Sequence, residues 1–77
     1  MTESENILAA EANLWQGIAL LGLNGVSDES FSFLTSVYAQ TEGVARQSSK
    51  EGANELKNVL YVAAEVIAAH CDRSTLH

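Results

Sequence analysis

The chain has 77 residues, ten acidic and four basic side chains, a formal net charge of −6, no proline and one cysteine. The whole surplus lies ahead of Arg46: Glu3, Glu5, Glu11, Asp28, Glu29 and Glu42 stand there without a Lys or Arg, while residues 46–77 balance four acids with four bases. This distribution excludes the basic stripe that nucleic acid or an anionic membrane requires and fits a protein partner with a basic surface, and a lone thiol excludes an internal disulfide and suits a reducing compartment.

The N-terminus, Met1-Thr2-Glu3-Ser4-Glu5, is acidic and reads as frayed; it has no basic region of the kind that opens a secretory signal. Nothing approaches the roughly 20 apolar residues needed to cross a bilayer, so the expected location is the cytoplasm. The first predicted helix spans about 6–22, where Ile7, Leu8, Ala10, Leu14, Trp15, Ile18 and Leu21 form one broad apolar stripe. Asn6, Asn13, Gly17 and Asn24 mark its other side. Gly22-Leu23-Asn24-Gly25 supplies residues that tolerate the left-handed conformation beyond a helix end.

The second predicted helix spans about 28–47. Ser27 is its N-cap, Asp28 and Glu29 follow where the dipole favours negative charge, and Val26 and Phe31 are placed for a hydrophobic staple. Phe31, Leu34, Val37, Tyr38, Val44 and Ala45 make the apolar half, with Phe33 at its edge. Gln47-Ser48-Ser49 breaks the pattern, and Ser48 with Glu51 reads as a capping box opening a third helix over 49–71. Leu56, Leu60, Ala63, Ile67 and His70 then recur at steps of four, three, four and three, a heptad seam, with Tyr61 on the wetter side. The tail from Arg73 reads as frayed.

The expected fold is all-α: a single three-helix module, a helical hairpin plus an N-terminal helix. One long helix from 28 to 71 is disfavoured because Gly43, Ser48-Ser49 and Gly52 each weaken a helix interior, glycine by about 1 kcal/mol against alanine. A chain this short hides only a little over ~60% of its unfolded surface, and its apolar faces are wider than three helices readily cover. Assembly into a homodimeric bundle is the expected remedy. The residues read as core seam or self-association surface are Trp15, Leu34, Tyr38, Leu56, Leu60 and Ile67.

Catalytic constellations are lacking. No phosphate-cradling glycine loop occurs, and His70, Cys71 and His77 are the only nitrogen and sulfur ligands, the first two pointing roughly 100° apart on a helix. Asp28 with Glu29, and Glu51 with Glu55, sit in first turns where dipole compensation explains them. No catalytic residue, metal ligand or cofactor is therefore expected. His70 and Cys71 read as fillers at the end of a core. Trp15 and Phe31 read as core aromatics, whereas Phe33 and Tyr61, with Glu11, Asp28 and Glu29, are the candidate partner-binding residues.

A helix entered at Val26-Ser27, apolar steps at Leu34 and Tyr38, and Leu60-Tyr61-Val62-Ala63-Ala64-Glu65-Val66-Ile67 running into an Ala-rich helix resemble a group of short bacterial helical-hairpin proteins. One regulatory type among them inhibits a quorum-sensing transcription activator. The likeness covers about 46 of the 77 residues, and the Trp-containing helix ahead of the hairpin departs from it. The functional expectation is a non-enzymatic regulator or inhibitor, bacterial or phage-encoded, that binds a larger protein. The alternatives are a self-assembling structural subunit and a helical pocket for a small apolar ligand, walled by Trp15 and Tyr38.

Overall fold

The computed structural model describes residues 2–24 and 27–75. They form three helices and no strand: α1 (Glu3–Asn24), α2 (Asp28–Gln47) and α3 (Lys50–Thr75). Each helix packs on both others. Glu3 meets Ser49 and Gly17 meets Leu34, so α1 runs antiparallel to α2, along the hairpin rather than across it, and parallel to α3.

Local chemistry explains the ends. Thr2 caps α1: its Oγ1 accepts from the Glu5 N–H at 3.2 Å and its carbonyl from Asn6 at 3.1 Å. Glu3 and Glu5, expected in a frayed segment, lie in the first turn of α1. Thr2-x-x-Glu5 carries the spacing that signals it. Ser27 caps α2 in extended conformation, its Oγ accepting from the Ser30 N–H at 3.1 Å. The staple partner Val26 lies outside the described residues, as do Gly25 and His77.

The break after α2 is real, with Ser48 extended at φ −93° and ψ 166°. Ser48 does not cap α3, however. Its hydroxyl donates to the Val44 carbonyl at 2.6 Å, and Ser49 Oγ accepts from the Gly52 N–H at 3.2 Å instead. The cap lies one residue later because Ser48 is spent on closing α2. At the other end, α3 continues helically through Arg73 to Thr75, past the predicted stop at 71.

The core consists of Ile7, Ala10, Leu14 and Leu21 of α1, Leu34 and Val37 of α2, and Leu56, Val59 and Ala63 of α3. Three expectations shift here. Trp15 is 40% exposed rather than core, since the turn beside Leu14 already faces the hairpin. Gly17, expected on the polar side, is buried; a Cβ there would lie 3.2 Å from Leu34 Cδ1 and 3.5 Å from Leu34 Cα, so the missing side chain lets α2 approach. On α3 the buried row is Gly52, Leu56, Val59 and Ala63, with Leu60 and Ile67 only flanking it, because α3 fits into a groove between two helices rather than against one. Thr41, in register with Leu34 and Val37, is a buried polar residue whose hydroxyl donates to the Val37 carbonyl at 2.8 Å.

Candidate functional site

Two surfaces and one contact are built from the residues that carry chemistry. The first surface lies at the start of α2, where Asp28 and Glu29 are exposed on the helix's first turn. Phe33 follows Glu29 by one turn on the same side and is 39% exposed. Its inner edge rests near Gly17, whose ideal Cβ would stand 3.5 Å from Phe33 Cδ2. The ring is thus braced on one edge and open on the other. Glu11 is half-buried on α1.

Tyr61 is 63% exposed on α3. Hydrogen bonding to Glu65 one turn on, and the charge of that carboxylate, hold its phenol above the ordinary tyrosine value. The other predicted residues turn inward: Leu34 and Leu56 are buried, and Tyr38, Leu60 and Ile67 pack partly buried against the core. Phe31, also half-buried, stacks on His70 with ring centroids 4.2 Å apart and planes at 37°, closing the bundle where α2 begins.

The contact joins elements far apart in sequence. Glu3 Oε1 accepts from the Ser49 N–H at 2.6 Å, and Oε2 accepts from the Ser49 hydroxyl at 2.8 Å. In a capping box the third helical residue supplies this carboxylate. Here that residue is Gly52, which has none, and α1 provides it instead. No local signal could have revealed a partner 46 positions away. The Ser49 N–H, helped by its hydroxyl, holds the Glu3 carboxyl below the ordinary glutamate range.

A lowered folded value means that the contact's contribution is complete above the unfolded pKa, about 4.3, and is lost as pH falls through the folded value. Glu3→Gln is therefore expected to lower the melting temperature near neutral pH and to leave it unchanged once pH lies below both values. Melts of the two proteins across an acid series check this; a constant offset at every pH would show that Glu3 acts by shape and not by charge.

Between α1 and α2 lies an open cleft of about 180 Å³, lined by Asn6, Asn13, Val37, Gln40, Thr41 and Val44 among others. A second, of about 230 Å³, shares Asn6 and Val44 with it and reaches Glu3 and Ser48. Neither Trp15 nor Tyr38 lines either cleft; Ala9, Ala10, Val37 and Val44 make the first one's apolar wall and Asn6, Asn13, Gln40 and Thr41 its polar one. Among the described residues no group of three or more His, Cys, Asp or Glu side chains is gathered to hold a metal ion. No described helix is long and apolar enough to cross a membrane. No protein-family model, curated protein or solved structure matches this chain.

Proposed function

We propose that this protein is a non-enzymatic interaction module that regulates or inhibits a larger protein by covering a basic, partly apolar patch on its surface. The observation that supports this reading is the braced, half-exposed Phe33 ring beside Asp28 and Glu29, in a part of the chain with no basic residue. An aromatic anchor supplies contact area, and the acidic rim steers and orients a cationic partner. Tyr61 with Glu65 repeats the pairing on α3. The likeness of residues 26–71 to short bacterial helical-hairpin proteins, one type of which inhibits a transcription activator, makes a transcription regulator one class of target to try.

The test is an affinity capture with the full chain, followed by titration of the purified target. Reversing Asp28 and Glu29 together to Lys is expected to weaken binding about tenfold at low salt and to flatten its salt dependence. Far-UV circular dichroism checks that α2 survives the loss of its dipole compensation. Unchanged affinity and salt slope would remove the acidic face from the reading. A self-assembling subunit without a separate target is the second reading, favoured by the exposed Leu8, Trp15 and Leu23 of α1.

A further inference from the structure

The first helix carries two rows of apolar and small residues, and the fold uses one. Ile7, Ala10, Leu14, Gly17 and Leu21 face the hairpin and are buried. Leu8, Ala12, Trp15, Ala19 and Leu23 recur at steps of four, three, four and four, centred about 160° around the helix from the buried row. All five are exposed, Leu8 at 65% and Leu23 at 83%. We propose that this outer seam of α1 is a self-association surface, on which a second copy of the chain packs its own α1 antiparallel.

Area is the first support. The chain exposes 5229 Å², whereas a compact monomer of its mass is expected to expose ~4,500 Å². On the outer side of α1 the exposed surface includes three large apolar side chains, Leu8, Trp15 and Leu23. The bundle is drawn out to 43 × 19 × 15 Å with a radius of gyration of 13.0 Å, against ~11.5 Å for a compact chain of this length. An apolar stripe along the long axis gives a twin an extended line of contact.

Charge selects both the occupant and the direction. All the charges of α1, Glu3, Glu5 and Glu11, lie in its first half, and nothing from Ala12 to Asn24 is charged. That half offers a basic partner no counter-charge, so the seam suits an uncharged apolar strip such as its own copy. A parallel pair would set Glu5 and Glu11 against their counterparts, with like charges facing. Turned antiparallel, each acidic half lies beside the uncharged half of the other helix. The two-fold axis then passes near Trp15, which meets its symmetry mate, while Ala12 faces the partner's Ala19 and Leu8 faces the partner's Leu23. The small alanines on either side of the tryptophans permit close approach. This inference stands on α1 alone and does not depend on the target-binding reading.

Light scattering coupled to size exclusion, run on the full chain as a concentration series, is expected to give twice the 8.2 kDa chain mass at high micromolar concentration. Ala12→Glu sets a carboxylate into the seam without touching the core and is expected to weaken association at least about tenfold with helicity unchanged. Leu23→Glu serves as an independent second variant. In a Cys71→Ser background, an equimolar mixture of Ala12→Cys and Ala19→Cys chains is expected to cross-link, while either alone does not. A monomeric wild type, or a dimer that survives both Glu variants, overturns the proposal. Cross-linking of the single variants alone overturns the antiparallel direction. A monomer whose seam variants abolish target capture assigns the face to the target instead.

Discussion

Leu14→Ala is expected to destabilise the fold by about 2–5 kcal/mol, the cost of lost apolar burial plus the cavity left behind. Leu14 is 0% exposed at the middle of α1, in one core with the equally buried Leu34 and Leu56. Total stability for a chain of 77 residues is on the order of 4–12 kcal/mol, so this one truncation removes a large share. A fall in melting temperature on the order of 10–30 °C follows. Urea and thermal melts by circular dichroism measure both quantities. The informative comparison, melted at a concentration low enough to keep the chain monomeric, is Leu8→Ala, a residue of the same type on the opposite side of α1, expected to change monomer stability by no more than about 0.5 kcal/mol. Equal losses at the two positions would mean that α1 is rotated differently about its axis.

Gly52→Val is the second large effect, expected at about 2–3 kcal/mol. Gly52 is buried under the start of α1, where an added Cβ would run into Ile7 Cδ1 and lie 3.2 Å from Ser48 Cβ and 3.4 Å from Glu3 Cδ. Ile7 is 2% exposed and has little room to turn away. A branched side chain at 52 therefore lifts the first turns of α1 from α3, uncovering Ile7 and separating Glu3 from Ser49. Hydrogen exchange should show faster exchange in the first turns of α1 together with the lower global stability. Gly43 is the matched control: a Cβ there meets nothing within 4 Å. Gly43→Ala is accordingly expected to stabilise α2 by about 0.5–1 kcal/mol, through helix propensity and a less flexible unfolded chain. If Gly52→Val melts with the wild type, α1 does not rest on α3 at this point.

Much of this arrangement is legible in the residues. Absence of proline, apolar spacing of three and four, the Ser27 cap and the Ser48-Ser49 interruption suffice for three helices and for the hairpin, because each is a local property of a few neighbouring residues. The segregation of charge into the first 45 residues is likewise a property of the sequence alone. Tertiary structure decided how each helix is turned. On α1 the predicted stripe ran through both Leu14 and Trp15, which point about 100° apart; the shape of the hairpin groove, and the close approach of Leu34 to Gly17, chose the Leu14 side. On α3 the same kind of choice fell on Val59 over Leu60. Glycine has no hydropathy to reveal that it faces inward, and hydropathy cannot foresee that a carboxylate on α1 will complete the cap of α3. A wide apolar stripe limits a helix's rotation only to within about one residue, and the remaining turn is settled by the neighbours that fill the groove.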